Sequence, residues 1–151
     1  MDRRQKSILA RFLTVIAATA IAVVGLFNFK DWVNRSEALQ AMQSISTKVA
    51  EYREKISIIP PEAYIAKLKD EVKEEGGVRL GRLQYRGLFI EPQAEPNEIL
   101  LYSEKKYPSS FLEDGYIVLF LDGTVKWMPV EKFKELLVRQ QTDFEIHMLE
   151  H

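Results

Sequence analysis

Cysteine is absent from the sequence, and histidine is nearly so. The lack of cysteine excludes disulfide bonds, thiolate catalysis and every zinc or iron–sulfur site with cysteine ligands. The two histidines, His147 and His151, are spaced so that one helix face could turn both toward a metal ion. Only Glu150 stands nearby as a third ligand, and chain ends usually fray, so we expect no bound metal and no cofactor.

Other signatures of catalysis are missing as well. The sequence has no glycine-rich phosphate loop, no nucleophile elbow and no set of residues that could form a Ser–His–Asp or Cys–His arrangement. The net charge of −1 gives no reason to expect nucleic acid as a partner. The sequence therefore predicts a protein that is not an enzyme and does not bind nucleic acid.

A long apolar run is the most informative feature that is present. Residues 12–29 read FLTVIAATAIAVVGLFNF without a formal charge. As a helix, this run would cover roughly 27 Å, close to the thickness of a bilayer core. Phe27, Phe29 and Trp32 lie at its C-terminal boundary, where aromatic side chains favour the headgroup level. We expect a transmembrane helix over residues 12–29.

Positive charge is concentrated before this run. The basic residues there are Arg3, Arg4, Lys6 and Arg11. The positive-inside rule predicts that residues 1–11 lie in the cytoplasm and that the chain after Lys30 lies outside. The alternative is a signal peptide cleaved at the small residues 18–20, but cleavage there would split the apolar run. We favour an anchor in a bacterial inner (cytoplasmic) membrane, with a periplasmic C-terminal domain.

Small residues line one side of the predicted anchor. Ala18, Ala22 and Gly25 follow each other at helical spacing. Small residues let transmembrane helices approach closely, so this stripe is a candidate contact for a partner helix. The alternative is that alanine is simply common in membrane anchors.

Helical spacing continues through residues 30–59, which predicts an amphipathic helix. Its apolar positions are Ala38, Met42, Ile45, Val49, Tyr52 and Ile56. Their alternating steps of three and four form a seam that packs either against the protein's own domain or in a short coiled coil. Met42, Ile45 and Val49 are therefore candidate partner contacts. A break in the helix is expected, if anywhere, at Asn28 or residues 34–36.

Residues 60–151 predict an external α+β domain. Pro60-Pro61 ends the long helix, and a second helix follows and stops at Gly76-Gly77. Residues 78–91 alternate in a way typical of extended structure, with a bulge at Gly81. Three arginines of this stretch are either a solvated strand face or a patch that binds an anion or a partner. They are Arg79, Arg82 and Arg86.

The remaining strands and the last helix are marked more clearly. A short strand is expected at residues 99–103, and a hairpin at residues 116–128 that turns at Asp122-Gly123. Pro129 then opens a helix with an apolar face. The residues of that face are Val130, Phe133, Leu136, Leu137 and Phe144. The predicted fold is α+β: a membrane helix continuing into an amphipathic helix, packed on a small antiparallel sheet with a C-terminal helix.

This arrangement resembles type IV pilins and type II secretion pseudopilins. Residues 114–125, DGYIVLFLDGTV, resemble the C-terminal hairpin of a prepilin-like bacterial family named for a histidine, a spacer and Asp-Gly. Residues 38–61 resemble the helix of that family that follows the membrane and ends in Pro-Pro. The chain departs from the family where Leu112 stands in place of the signature histidine. It also lacks the prepilin peptidase site, because Arg11 precedes Phe12 and the anchor holds no acidic residue.

The resemblance implies a non-enzymatic, single-pass membrane subunit that assembles through its anchor and its external domain. Its expected partners are the lipid bilayer and other membrane protein subunits, in a homo- or hetero-oligomer. One alternative is an accessory subunit that stabilises a large respiratory, photosynthetic or transport complex. A second alternative is an external domain that binds a ligand.

Overall fold

A single helix accounts for the first third of the chain. The computed structural model describes residues 2–73, 77–91 and 93–149, and α1 extends over Arg3–Ile56, 54 residues without interruption. The helix passes through Asn28 and residues 34–36 unbroken. It ends slightly before the predicted residue 59, where Ser57 takes a left-handed conformation (φ 59°) and its N–H donates to the Arg53 carbonyl at 2.7 Å.

The two halves of α1 have different surroundings. No residue in its most apolar eighteen-residue stretch is buried, and the mean hydropathy there is 2.2. Buried positions begin at Ala38 and continue at helical spacing to Val49. Among the described residues, α1 is the helix that is long and apolar enough to cross a membrane.

Four antiparallel strands form a sheet in simple sequential order. They are β1 (Leu83–Tyr85), β2 (Ile99–Lys105), β3 (Gly115–Phe120) and β4 (Val125–Pro129). The α+β class, the long N-terminal helix and the antiparallel sheet are thereby confirmed. The short strand predicted at residues 99–103 is present and extends to Lys105.

The prediction of extended structure throughout residues 78–91 was wrong. A 3-10 turn occupies Gly77–Leu80, and only Leu83–Tyr85 joins the sheet. Gly81 (φ 70°) separates these elements, so it does not form a bulge within a strand. Tertiary packing is the reason: Leu80 is fully buried, and its carbonyl accepts a hydrogen bond from the Ser103 hydroxyl. An alternating pattern cannot distinguish this inward turn from a strand.

A shift in strand register, of the kind predicted at Gly81, is found in β2. The register with β3 shifts between Ile99 and Leu101. This shift lets Leu100 and Leu101, adjacent in sequence, enter the same hydrophobic core.

The predicted hairpin between β3 and β4 is confirmed, but its turn is longer than two residues. The Gly123 N–H donates to the Phe120 carbonyl at 3.0 Å, and the Phe120 N–H donates to the Thr124 carbonyl at 2.9 Å. This pattern is a three-residue loop in which only Gly123 has positive φ (87°). Asp122 contributes through its carboxylate, which accepts from the Thr124 N–H at 2.8 Å and from its hydroxyl at 2.6 Å.

Helices cover both faces of the sheet. On one face α1 packs together with α2 (Glu62–Glu71), and on the other lies α3 (Val130–Gln140), followed by the short α4 (Asp143–Leu149). The second helix ends at Glu71, before the predicted stop, and Gly76 lies outside the described residues. Phe133 fills the core under α3, whereas Phe144, predicted to point inward, is 66% exposed.

The strands extend along α1 and so give the domain two distinct ends. Arg35 of α1 donates to the carbonyl of Glu113, which lies in the loop between β2 and β3. Arg53 donates to the carbonyl of Leu121, in the Asp-Gly turn. The loop at residues 106–114 is therefore at the end of the domain nearest the apolar half of α1, and the Asp-Gly turn is at the far end.

Candidate functional site

The small-residue stripe of the apolar half is accessible. Ala18, Ala22 and Gly25 are all exposed, and a Cβ atom added at Gly25 would meet no atom within 4 Å. The described part of the domain thus leaves this side of α1 free for another helix.

The seam of α1 is occupied by the protein's own domain. Met42 and Ile45 are 0% exposed and Val49 is 4% exposed, within a core that includes Leu101 and Leu119 of the sheet. These side chains pack against the protein's own domain, which was one of the two alternatives for the seam. In this structure they are not available to a partner.

The three arginines proposed as a patch lie in different environments. Arg79 is exposed and pairs with Glu37 of α1 at 3.0 Å. Arg82 is exposed and lines a small cavity of about 150 Å³ beside α2. Arg86 is only 3% exposed. They therefore form neither a common surface nor a solvated strand face.

Arg86 holds the C-terminal segment instead. Its Nε and Nη2 donate to the two carboxylate oxygens of Glu145 at 2.7 and 2.9 Å, and Glu145 is 0% exposed. Its Nη1 donates to the Ile99 carbonyl at 2.9 Å, and Nη2 donates to the Gln140 carbonyl at 3.1 Å. A bidentate pair with further hydrogen bonds offsets the cost of burying both charges. The arrangement attaches α4 to the start of β2.

A second polar cluster joins the apolar half of α1 to the domain. We call it the helix–loop joint, and its residues are Asn28, Arg35, Tyr107, Phe111 and Trp127. The Asn28 Oδ1 accepts from the Phe111 N–H at 2.8 Å, while its Nδ2 donates to the Val24 carbonyl at 2.8 Å. Both the oxygen and the nitrogen of this amide therefore have a hydrogen-bond partner, and the helix continues unbroken through the residue.

Arg35 provides the other half of the helix–loop joint. Its guanidinium carbon lies 3.9 Å from the centre of the Trp127 ring and 5.0 Å from that of Tyr107. Its Nη2 also donates to the Glu113 carbonyl at 2.7 Å. Cation–π contacts of this kind stabilise by about 0.5–2 kcal/mol, depending on desolvation. Burial raises the pKa of the Tyr107 hydroxyl, so this side chain stays neutral beside the cation.

The sequence contains a signal for the helix–loop joint. Counting back from Ala38 by three, four and three residues gives Arg35, Asp31 and Asn28. The seam thus continues toward the apolar half of α1 with polar residues. A search for apolar periodicity alone does not find them.

A groove of the domain lies between β4 and α3. It has a volume of about 410 Å³ and is open to solvent. Its lining residues include Asn97, Phe120, Asp122, Lys126, Trp127 and Lys132. The pKa of Asp122 is lowered by hydrogen bonds from the Thr124 hydroxyl and N–H, which commit this carboxylate to the turn.

Metal binding has no support in the described ranges. They contain no group of three or more histidine, cysteine, aspartate or glutamate side chains that could hold an ion. His147 lies in α4, and His151, its predicted companion, lies outside those ranges.

No protein-family model, curated protein or solved structure matches this chain.

Proposed function

We propose that this protein is a single-pass membrane protein, anchored by the apolar half of α1, that carries a pilin-like domain outside the cytoplasm. The observation that carries the proposal is the exposure of that half. Ten large apolar side chains between residues 12 and 29 are 43–74% exposed. At about 1 kcal/mol or more for each, leaving them in water would cost on the order of 10 kcal/mol. A bilayer removes this cost.

The continuity of α1 supports an anchor that positions the domain. The same helix leaves the apolar segment and enters the core at Ala38 without a flexible linker. The basic residues before the segment favour a cytoplasmic N-terminus, and hence a periplasmic domain if the membrane is the inner membrane of a bacterium. A rigid connection of this kind suits a subunit whose external domain must be held in a fixed position beside its neighbours.

We further propose that the protein acts by assembling with other membrane proteins and not by catalysis. The accessible stripe of Ala18, Ala22 and Gly25 is suited to close packing with another transmembrane helix. Partners of this kind fit a pilin-like assembly and also an accessory subunit of a larger membrane complex. The groove beside β4 is the feature that favours the alternative of a ligand-binding external domain.

Single-cysteine labelling tests the anchor and its direction, because the natural chain contains no cysteine to interfere. Ser7 and Glu131 are exposed and lie on opposite sides of the apolar segment. In cells whose outer membrane has been permeabilised, a membrane-impermeant maleimide should label Glu131→Cys. It should label Ser7→Cys only after the inner membrane is also disrupted. Equal labelling of both variants before that step would contradict the proposal.

Extraction in mild detergent tests the assembly. The chain should migrate well above the size of a monomer, and mass spectrometry should identify the membrane proteins that accompany it. Partners that carry redox cofactors would favour the accessory-subunit alternative. A monodisperse monomer that cross-links to nothing would contradict assembly while leaving the anchor intact.

A further inference from the structure

Phe111 has an unusual position for an apolar side chain. It is 87% exposed, the highest value among the large apolar residues described as exposed in this structure. Its backbone, by contrast, is held in place, because its N–H donates to Asn28. A ring that faces solvent from a fixed backbone contributes little to the stability of the domain, and its position relative to the apolar segment decides what it can contact.

Two hydrogen bonds set the position of this loop along α1. Asn28 accepts from Phe111, and two helical turns further on Arg35 donates to the carbonyl of Glu113. Asn28 lies one residue before the end of the apolar segment, a rise of about 1.5 Å. The backbone of Phe111 is therefore level with Phe29, where the segment ends.

We infer that the loop at residues 108–113 is a second membrane contact, in which the Phe111 ring inserts at the outer boundary between headgroups and acyl chains. This inference rests on the proposed anchor. Aromatic side chains concentrate at that depth, and α1 places Phe29 and Trp32 there, with ring centres 6.2 Å apart. Phe111 extends this aromatic layer sideways, from the helix to the domain.

The chemistry of the loop indicates which lipids it contacts. Glu113 is exposed beside Phe111, and residues 108–113 contain no basic residue. Lys106, at the start of the loop, pairs with Glu104 at 3.2 Å, so the loop presents no cluster of positive charge that would select anionic headgroups. The contact is apolar, and it should form on zwitterionic phosphatidylcholine alone and be insensitive to salt. A protein partner is the other occupant that an exposed aromatic ring could serve, and bilayers of pure lipid distinguish the two.

The test uses the full chain with one cysteine at a time, each carrying the same environment-sensitive fluorophore. Phe111→Cys reports on the loop. Leu88→Cys is the matched control, because Leu88 is 71% exposed but follows β1 near Ile99, at the far end of the domain. Val24→Cys reports on the anchor itself. Each variant is reconstituted in phosphatidylcholine vesicles with and without a quencher attached near the lipid headgroup, and its fold is checked by circular dichroism.

The inference predicts that the label at residue 111 emits at shorter wavelength than the label at residue 88 and loses emission when the lipid quencher is present. The label at residue 88 should lose none. If the label at residue 111 behaves like that at residue 88 while the label at residue 24 responds to lipid, the second contact is refuted and the anchor stands. If the label at residue 24 also fails to respond to lipid, the proposed anchor is refuted as well.

Discussion

At the scale of single residues, two arginines show how context decides what the same side chain does. Arg86 is enclosed and neutralised by Glu145, whereas Arg35 is half-buried and stacks on Trp127. The sequence predicts neither environment, since Arg86 occupies a polar position of an alternating stretch and Arg35 stands between Asn34 and Ser36. The difference arises from partners that are distant in sequence, which is why Arg86 is buried whereas Arg79 and Arg82 are exposed.

The buried pair gives a direct prediction for stability. Glu145→Gln removes one charge and leaves the guanidinium of Arg86 enclosed with Glu98, 3.6 Å from Nη1, as its remaining carboxylate. Breaking a buried pair typically costs about 3–5 kcal/mol, and because Glu98 remains nearby we expect a loss at the lower end, about 3 kcal/mol. Urea denaturation of the full chain in mild detergent, followed by tryptophan fluorescence, should show a corresponding fall in the free energy of unfolding.

Glu135 provides the matched control for this substitution. It pairs with Arg139 one helical turn away on α3, and both side chains are well exposed. Glu135→Gln should therefore cost at most about 0.5 kcal/mol. Equal effects of the two substitutions would show that burial of Arg86 with Glu145 does not govern the stability of the C-terminal segment.

At the scale of elements, the sequence predicted those helices and strands that depend on neighbouring residues. It did not predict those that depend on contacts between residues distant in sequence. The β3–β4 hairpin depends on adjacent residues, and Asp122-Gly123 was sufficient to identify it. The seam of α1 repeats over several turns and was equally clear. Residues 77–80 adopt their turn because Leu80 enters a core formed by distant elements, so no local pattern could have revealed it.

Asn28 is a second residue whose role depends on a contact that is distant in sequence. An amide side chain within an apolar run predicts a possible break in the helix at this residue. In the structure its Nδ2 donates to the carbonyl one turn before it, and its Oδ1 accepts from a loop 83 residues away. Only the tertiary contact turns this residue from a potential break into an attachment point.

A substitution in the apolar half of α1 tests whether the small-residue stripe binds a partner helix. Ala22→Leu should obstruct the small-residue stripe and weaken packing with a partner helix by about 1 kcal/mol, or roughly fivefold in association. Cross-linking yield in mild-detergent extracts, compared with the unsubstituted chain, is the measurement.

Ala20→Leu is its control, because residue 20 lies at nearly the same depth on the opposite side of the helix from Ala18. The two substitutions change size and hydropathy identically, and both positions are exposed. Loss of cross-linking in Ala22→Leu alone would support the stripe as an interface. Equal yields would count against it.

At the scale of the whole molecule, α1 divides the protein into a part that contributes to the core and a part that does not. Residues 12–29 supply no buried side chain, whereas the following turns supply a large share of the core beneath the sheet. Composition alone predicts a boundary near residue 30, and the first buried side chain of α1 is that of Ala38. Helical spacing predicted that the helix continues across this boundary, but it did not predict the helix–loop joint that bridges it.

This division of α1 predicts which chains shortened at the N-terminus will still fold. A chain beginning at Lys30 should be soluble and folded, because it keeps every buried residue of α1 and loses one hydrogen bond to Phe111, worth about 1 kcal/mol. A chain beginning at Ala50 should not fold. It loses Ala38, Ala41, Met42, Ile45 and Val49 from the core. Removing even one large core side chain typically costs about 2–5 kcal/mol, against a total stability of about 5–15 kcal/mol.

Near-ultraviolet circular dichroism and urea denaturation distinguish these outcomes. The chain from Lys30 should keep a sharp unfolding transition close to that of the full protein, and the chain from Ala50 should show none. Aggregation or unfolding of the chain from Lys30 would mean that residues 12–29 belong to the fold of the domain. The large exposed apolar surface would then be better explained as an interface with protein than as a span in lipid.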